Sequence, residues 1–313
     1  MAKVLVTGGA GFIGRHVVRQ FLEHGWQVVV FDLREFIELE LSNEEGVEAV
    51  QGDITSTEAL REAMHGCDAV VHLAAVVSVP QSIQEPEKTM LVNVTGTRNV
   101  LQCALEGGIS KVIVASSAAV YGSSSDMPLK ESGQVECLSP YAESKAMNEK
   151  DVIAFRKNGL NALALRFFNV YGPGQRSDSS YASLIPIFVH AMNAGERPTI
   201  YGSGKQTRDF VHVHDLAIAV HKMVLRAEPY EYPVANVASE TQISVLDVVQ
   251  CINQCLKDRN NVDDIVPHYD KAREGDVMYS CGSNKRIREM IDWKNEIDFE
   301  TGLKSLLDYE RKR

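Results

Sequence analysis

One tyrosine and one lysine, four residues apart, are the side chains of this sequence best suited to proton transfer. If Tyr141 and Lys145 lie on a helix, that spacing puts both of them on the same face. A tyrosine with its ordinary pKa of about 10 is a poor base at neutral pH, and a nearby positive charge lowers that pKa. The spacing is common on ordinary helices, but here it follows a strand candidate that ends at Ser116 and Ser117. Because the carboxyl ends of parallel strands face a ligand crevice, we interpret Tyr141 and Lys145 as catalytic candidates.

A glycine-rich turn near the start of the chain indicates a phosphate site. Gly8, Gly11 and Gly14 are evenly spaced between a strand candidate and a helix candidate. Glycine allows a sharp turn and lets the backbone approach a pyrophosphate, and the start of the next helix attracts negative charge. A glycine turn directly after the first strand predicts a dinucleotide site, and a tight turn without a ligand is the alternative.

Two acidic residues refine this prediction. Asp32 ends the second strand candidate. A carboxylate there accepts hydrogen bonds from the adenosine ribose hydroxyls and repels a 2′-phosphate, which favours NAD over NADP, while the nearby Arg34 would weaken that preference. Asp53 is predicted to contact the adenine, and a helix N-cap is its alternative role.

Strand and helix candidates alternate along the first half of the chain. Several strand candidates are continuous β-branched runs, which indicates burial on both faces. The pattern predicts a doubly wound α/β fold, a parallel sheet covered by helices as in Rossmann domains. The strand candidates are Lys3–Thr7, Gln27–Asp32, Val47–Gln51, Ala69–Leu73, Lys111–Ser116 and Ala162–Arg166. The helix candidates are Phe12–Glu23, a segment entered at Thr55 and Ser56, Pro86–Glu106 and Tyr141–Asn158.

The second half of the chain has a different pattern. Gly172–Gly174 and Gly202–Gly204 interrupt it, and helix candidates such as Asp215–Ala227 and Val245–Leu256 dominate. We therefore predict an NAD-binding Rossmann domain over residues 1–170. Residues 171–313 are predicted to be mainly a smaller C-terminal substrate-binding lobe, interleaved with the first domain.

Composition narrows the classes of partner. The 313 residues carry a formal net charge of −10, which disfavours nucleic acid, although a few arginines in one cleft can still bind a small anion. No apolar run is long enough to span a bilayer, and the first residues do not resemble a signal peptide. The six cysteines form no C-x-x-C pair, and His212 and His214 lack a third ligand nearby in sequence. We therefore expect no metal site, no membrane association and a reducing, cytoplasmic location.

Nine sequence blocks, taken together, resemble one protein family. In chain order they are TGGAGFIG, GDIT, HLAA, NVTGT, SSAAVYG, SPYAESK, RFFNVYGPG, GKQTRDFVHVHD and REGD. They resemble the nucleotide-sugar epimerases and dehydratases of the extended short-chain dehydrogenase/reductase family, and the resemblance runs through about residue 285. It implies a tightly held NAD, a UDP-sugar substrate and a homodimer that uses the helices around 87–106 and 141–158.

The resemblance also implies roles for individual residues. Ser117, Tyr141 and Lys145 match a catalytic triad, in which Tyr141 is the acid/base at the sugar 4-hydroxyl, Ser117 binds that oxygen and Lys145 holds the nicotinamide ribose. With the glycine turn, the residues expected at the cofactor are Gly8, Gly11, Phe12, Ile13, Gly14, Asp32, Asp53, Ile54, Leu73, Ala74, Ala75, Asn93, Ser116, Tyr141 and Lys145. The residues expected at the substrate are Ser78, Ser117, Asn169, Leu184, Tyr201, Arg208, Arg273, Asp276 and Ser280.

The residues that follow Ser117 bear on the type of reaction. Related dehydratases and decarboxylases carry Asp or Glu there, which protonates a leaving hydroxyl or assists a second step. This chain has Ala118 and Ala119 instead. The resemblance therefore implies a UDP-sugar 4-epimerase, which oxidises C4 to a transient 4-keto sugar, holds the hydride on NAD and returns it to the other face.

Substrate choice rests on one counted position. In the family, the residue four after the Asp of R-x-G-D is a size gate beside the sugar C2 substituent, which here is Ser280. A small residue there implies that UDP-N-acetylglucosamine and UDP-N-acetylgalactosamine are accepted as well as UDP-glucose and UDP-galactose. A shift of one residue would put Tyr279 or Cys281 at the gate. A UDP-glucuronate 4-epimerase, another nucleotide-sugar epimerase or dehydratase, and a noncatalytic NAD-binding redox sensor are the alternatives.

Overall fold

The computed structural model describes residues 1–33, 44–176, 183–260, 263–272, 275 and 277–312. Within these ranges, seven parallel strands form one central sheet in the order β11-β6-β5-β4-β1-β2-β3. The sheet strands are β1 Lys3–Thr7, β2 Gln27–Asp32, β3 Val47–Gln51, β4 Ala69–His72, β5 Lys111–Ser117, β6 Ala162–Phe167 and β11 Val234–Val237. The doubly wound α/β fold predicted from the sequence is confirmed.

Burial on both faces explains why the strands are continuous apolar runs. In β1, Val4 and Val6 belong to one core cluster, whereas Leu5 between them belongs to the cluster on the opposite face. All three side chains are fully buried. Successive strand residues point to opposite faces, so a sheet covered by helices on both sides needs apolar residues at every position.

The described helices agree with most of the sequence-based boundaries to within two residues. They are α1 Phe12–Glu23, α2 Thr57–Met64, α3 Val79–Gln84, α4 Pro86–Met90, α5 Thr97–Glu106, α6 Pro140–Lys157, α7 Leu184–Asn193, α8 Val213–Leu225, α9 Val245–Asn260, α10 Lys285–Met290 and α11 Phe299–Lys312. The predicted helix Pro86–Glu106 is not uniform, because a π-helical segment, Leu91–Gly96, separates α4 from α5. Helix α3 was not predicted from the sequence.

The C-terminal part of the chain contributes both to the central sheet and to a separate apolar cluster. Strand β11 pairs with β6 at the edge of the central sheet, and α8 packs against α1. A separate apolar cluster joins α7, α9 and α11. Three two-stranded pairings lie in the described part of this region, formed by β7 Asn169–Tyr171, β8 Thr199–Tyr201, β9 Thr207–Arg208, β10 Phe210–His212, β12 Ile243–Ser244 and β13 His268–Asp270. This pattern is compatible with interleaved domains, and the boundary at residue 170 stays a prediction.

No helix in the described ranges is long and apolar enough to cross a membrane.

The two histidines noted in the sequence, His212 and His214, lie at the start of α8. The His212 ring accepts a hydrogen bond from the His214 backbone N–H at 3.3 Å, and its other nitrogen lies 3.3 Å from the Ser305 hydroxyl.

A buried histidine connects the ends of two central strands to the helical segment beside them. The Thr97 hydroxyl donates to the Asn93 carbonyl at 2.6 Å, so its oxygen accepts from Nε2 of His72 at 2.9 Å. Nδ1 of His72 then accepts from the Thr7 hydroxyl at 2.7 Å. Burial lowers the pKa of His72 to about 3, so the ring is neutral at neutral pH.

This depressed pKa predicts a measurable pH dependence of stability. Between its ordinary pKa of 6.5 and about 3, His72 binds a proton in the unfolded chain but not in the folded one, so acidification favours unfolding. We expect His72→Asn to lose about 1.4 kcal/mol less unfolding free energy than the wild type between pH 7.5 and pH 5.5. Urea titrations of both proteins at the two pH values measure this. Equal losses would contradict the assignment.

Candidate active site

A cleft of about 1310 Å³ opens where the carboxyl ends of the central strands meet the C-terminal part. It contains most of the residues that sequence analysis assigned to a cofactor and a substrate. From the cofactor set, the lining includes Gly8, Gly11, Phe12, Ile13, Gly14, Asp32, Asp53, Ile54, Leu73, Ala74, Ala75, Ser116, Tyr141 and Lys145. From the substrate set, it includes Ser117, Asn169, Leu184, Tyr201 and Arg208.

The glycine turn forms a backbone cradle in which two of the glycines have no room for a side chain. Gly8 has a φ of +70°, and a Cβ atom there would lie 2.7 Å from the Ala74 backbone nitrogen. A Cβ atom on Gly14 would lie 2.1 Å from the Gly8 carbonyl oxygen. Only glycine fits these two positions, and helix α1 begins between them, at Phe12. The residues present therefore fit a dinucleotide pyrophosphate beside the helix N-terminus.

Asp32 and Asp53 are the two acidic residues of the cofactor set, and both line the cleft. The Asp32 carboxylate accepts hydrogen bonds from the backbone N–H groups of Ala10 at 3.0 Å and Leu33 at 2.8 Å. It is thus held at the end of β2, where a ribose would approach. The N-cap of α2 is Ser56, whose hydroxyl accepts from the Ala59 N–H at 3.3 Å, so capping is not the role of Asp53.

Ser117, Tyr141 and Lys145 meet in the cleft. Ser117 ends β5, and its hydroxyl lies close enough to the Tyr141 phenol to lower the pKa of that phenol. The Lys145 ammonium donates to the Ala115 carbonyl at 2.9 Å and lies 5.8 Å from the centre of the Tyr141 ring. Helix α6 begins at Pro140, so Tyr141 and Lys145 share one helix face, as their spacing predicts.

The protonation states differ from the sequence-based expectation. Burial raises the pKa of Tyr141, and the hydrogen bond from Ser117 opposes this in part. The net direction is therefore opposite to the expected lowering of this pKa, because burial is the larger cause. Burial also lowers the pKa of Lys145 to about 8, which leaves it mainly cationic at neutral pH.

Asn93 supports the cleft from behind rather than lining it. It is fully buried in the π-helical segment. Its side chain accepts from the Val76 N–H at 2.7 Å and donates to the Val76 carbonyl at 2.9 Å and the Ser144 hydroxyl at 3.0 Å. Asn93 was predicted at the cofactor, but what the structure shows is that it joins the strand-end loop that lines the cleft to helix α6.

Only some of the predicted substrate residues can be placed in the cleft. The Arg208 guanidinium donates to the Val277 carbonyl at 2.6 Å, and the Asn169 amide donates to the Asp209 carbonyl at 3.2 Å. Leu184 and Tyr201 also line the cleft. Arg273, Asp276 and Arg34 lie outside the described residues.

Two predicted substrate residues do not line the described cleft. The Ser78 hydroxyl accepts from the Gln81 N–H at 3.1 Å and caps α3. Ser280 is only 8% exposed, whereas Tyr279 is 51% exposed, and neither they nor Cys281 are among the described lining residues. Ser78 and Ser280 are thus not among the described lining residues, and their roles stay predictions.

The cleft is cationic although the whole chain is anionic. Among its described lining residues, six are basic and two are acidic, Asp32 and Asp53. The basic residues are Arg15, Lys88, Lys145, Arg176, Arg197 and Arg208. Sequence analysis missed four of them, although Arg15 directly follows the glycine turn and Arg176 closely follows the Gly172–Gly174 interruption. This local reversal of charge suits a ligand with phosphate groups.

Comparison with known proteins agrees with this geometry. Residues 4–238 match the NAD dependent epimerase/dehydratase family. A putative UDP-glucose 4-epimerase of Methanocaldococcus jannaschii is 34% identical over 98% of this chain and 97% of its own length. A UDP-N-acetyl-alpha-D-glucosaminuronate decarboxylase of Bacillus cytotoxicus is 29% identical over 99% of this chain and 98% of its length.

A solved structure is similar over its whole length. The UDP-N-acetylglucosamine 4-epimerase of Methanobrevibacter ruminantium, in complex with UDP-N-acetylmuramic acid, superposes with a TM-score of 0.91 at 34% identity, covering 99% of this chain and 98% of that one. The glycine cradle, the Ser117–Tyr141–Lys145 arrangement and these matches lead to one conclusion. The chain belongs to the NAD-dependent epimerase/dehydratase family of extended short-chain dehydrogenases/reductases and is an NAD-dependent enzyme of the UDP-sugar epimerase type.

Proposed function

We propose that this protein is a UDP-sugar 4-epimerase that accepts N-acetylated UDP-hexosamines as well as UDP-glucose and UDP-galactose. The observation that carries the proposal is the meeting of Ser117, Tyr141 and Lys145 in one cleft with the glycine cradle. When bound in that cradle, NAD supplies reversible oxidation at the sugar C4.

In this mechanism, the side chains of the chain handle the proton and the position of the sugar. The Tyr141 side chain, as the phenolate, takes the proton from the 4-hydroxyl, and the resulting phenol later returns it. Ser117 holds the same oxygen through its hydroxyl, which lies beside the phenol and lowers its pKa. Lys145, a buried cation, favours the phenolate once the sugar excludes water from the cleft.

The distribution of acids favours epimerisation over dehydration or decarboxylation. Ala118 and Ala119 begin the short 3₁₀ turn that follows Ser117 and offer no proton donor. The acidic residues among the described cleft lining are Asp32 and Asp53. Asp32 ends β2, three strands from β5, which is roughly 14 Å at the usual spacing of about 4.8 Å per strand. A second acid–base step at the sugar would need a group nearer to Ser117.

The alternatives make different demands on the cleft. A UDP-glucuronate 4-epimerase needs a cation near the sugar C6, and a basic residue of the cleft lining such as Arg176 could serve. A noncatalytic NAD sensor needs no arranged triad, which makes the Ser117–Tyr141 contact an argument against it. A homodimer and a cytoplasmic location belong to the proposal as well, supported by the exposed Leu91 and Ile153 on the implied dimer helices and by free cysteines.

The proposed role of the phenol predicts the effect of removing it. Tyr141→Phe keeps the ring but not the hydroxyl, so we expect kcat to fall by at least about 100-fold while NAD stays bound. NMR analysis of the products formed from UDP-N-acetylglucosamine and from UDP-glucose, without added cofactor, measures both activity and substrate class. Wild-type turnover in this variant would defeat the mechanism. Absence of turnover by the wild-type enzyme on any nucleotide sugar would favour the sensor.

The position of Asp32 predicts the choice between the two nicotinamide cofactors. Asp32→Asn keeps an oxygen acceptor for the backbone but removes the charge that repels a 2′-phosphate. We expect the preference for NADH over NADPH to fall by roughly 10-fold or more, because a unit charge is lost in a partly buried site. Fluorescence titration of cofactor-free protein with each dinucleotide measures the ratio. An unchanged ratio would show that another residue selects the cofactor.

The proposed size gate predicts a selective loss. Ser280 lies three residues after Val277, whose carbonyl binds the cleft residue Arg208. If Ser280 borders the sugar C2 substituent, Ser280→Tyr lowers kcat/KM for N-acetylated substrates by about 10-fold or more relative to UDP-glucose, the scale of a steric pocket change. Tyr279→Phe is the matched comparison at the neighbouring position. Equal effects of Ser280→Tyr on both substrate pairs would mean that the gate lies elsewhere.

A further inference from the structure

The first turn of helix α6 has an unusual set of hydrogen-bond partners. The opening N–H groups of a helix lack partners within the helix itself. Pro140 has no N–H, the Ala142 N–H donates to the Ser139 side chain at 3.2 Å, and the Glu143 N–H donates to the Ser139 carbonyl at 2.9 Å. The remaining donor is the N–H of Tyr141, and its acceptor comes from a different helix.

That acceptor is the hydroxyl of Ser82 on α3. Its oxygen accepts from the Tyr141 N–H at 3.1 Å, and its proton is donated to the Val79 carbonyl at 2.7 Å. Ser82 is fully buried, so water cannot take its place without rearrangement. The hydrogen bond to the Val79 carbonyl fixes the direction of the Ser82 hydroxyl. An oxygen lone pair of this hydroxyl then points toward α6.

The other side of the Tyr141 residue is held too. The Ser144 hydroxyl donates to the Tyr141 carbonyl at 2.7 Å and accepts from the Asn93 amide at 3.0 Å. Asn93 in turn binds both backbone polar groups of Val76, which lines the cleft. The backbone of Tyr141 is therefore tied at its N–H and at its carbonyl to the segment between residues 76 and 82.

We infer that Ser82 is a positioning residue for Tyr141, which holds the phenol at a fixed distance from the wall of the cleft formed by residues 73–77. The inference rests on the proposed role of Tyr141 as the acid/base. The phenol lies at the end of a side chain with two torsions, so a shift of the first residues of α6 moves the phenol out of position. A misplacement of about 1 Å at a reacting group can lower a rate by about 100-fold.

The contrasting view is that Ser82 only stabilises α3 and α6. In that case its loss lowers thermal stability and NAD occupancy, and any fall in rate follows from the fraction of unfolded or cofactor-free protein. A positioning role instead lowers kcat in protein that is folded and fully loaded. It leaves KM and the pH midpoint of the reaction unchanged, since Ser82 does not titrate and does not line the described cleft.

Thr89 offers a matched control. It is fully buried on the adjacent helix α4, and its hydroxyl donates to the Glu85 carbonyl at 3.0 Å, one turn back, as the Ser82 hydroxyl does to Val79. No hydrogen bond described for Thr89 reaches α6. Thr89→Val and Ser82→Ala each remove one buried hydroxyl, but only the second removes the acceptor of the Tyr141 N–H.

The experiment measures kcat and KM for UDP-glucose and UDP-N-acetylglucosamine across pH 6–9, together with NAD occupancy and melting temperature, on the purified holoenzyme. We expect Ser82→Ala to lower kcat about 10-fold, with KM within about twofold and an unchanged pH midpoint, because part of the alignment at the reacting atoms is lost. Ser82→Cys, with a weaker acceptor of similar size, should give an intermediate kcat. Thr89→Val should keep the wild-type kcat.

Several outcomes would overturn the inference. One is a kcat for folded, NAD-loaded Ser82→Ala equal to that of the wild type. Another is an equal fall in Thr89→Val, or a fall that only tracks NAD occupancy in both variants. If Ser82→Ala does not fold, a wild-type kcat in Ser82→Cys overturns it. A full rate in Tyr141→Phe would instead defeat the proposed function, whatever Ser82→Ala does.

Discussion

The buried hydrogen bonds around His72 are the constraint on which the rest of the site depends. They begin at Thr7, directly before the glycine turn, pass through the neutral ring to Thr97, and reach Asn93 in the π-helical segment. From Asn93 the connection continues through Ser144 to the Tyr141 backbone. The turn that cradles a pyrophosphate and the residue proposed to move a proton are thus joined by one satisfied polar network. Such networks rigidify a core only when every member has a partner, which is the case along this path.

The same path explains why the helix beside β4 is not a regular α-helix. The π-helical segment lies where Asn93 must direct both ends of its amide toward Val76 and Ser144. An extra residue in the turn changes the direction of the following side chains, and such segments are frequent at functional sites. Hydrogen bonds thus hold the strand-end loop, the π-helical segment and α6 in fixed positions relative to one another. Electrostatics act on top of this frame, because a cleft lined by six basic and two acidic described residues attracts phosphates to a chain whose net charge is −10.

The features that could be predicted from the sequence are those whose signal lies within a short segment. The glycine turn, the apolar strands up to β6 and the spacing of Tyr141 and Lys145 each carry their signal within a few residues. It missed α3, the break in the Pro86–Glu106 helix and the place of β11 in the central sheet. These depend on contacts between distant residues, such as Ser82 with Tyr141 or β11 with β6, and no local pattern encodes them. The predicted direction of the Tyr141 pKa shift was wrong for a similar reason, because burial depends on the tertiary structure.

The limits of counting along a chain also bear on substrate choice. Ser280 was selected by its separation from Asp276, and Ser78 by the family resemblance, yet neither is among the described residues that line the cleft. Ser280 is buried next to Cys281, whose carbonyl accepts from the Leu129 N–H at 2.8 Å, while the following Gly282 N–H donates to Asp209 at 3.0 Å. Backbone bonds on this side therefore fix the segment against the protein body. A larger residue at 280 must either displace that packing or extend toward the cleft, and only the second case alters one substrate pair more than the other. Under the proposed role of Ser280, the size of the sugar pocket depends on how firmly this segment is held as well as on the side chain at position 280.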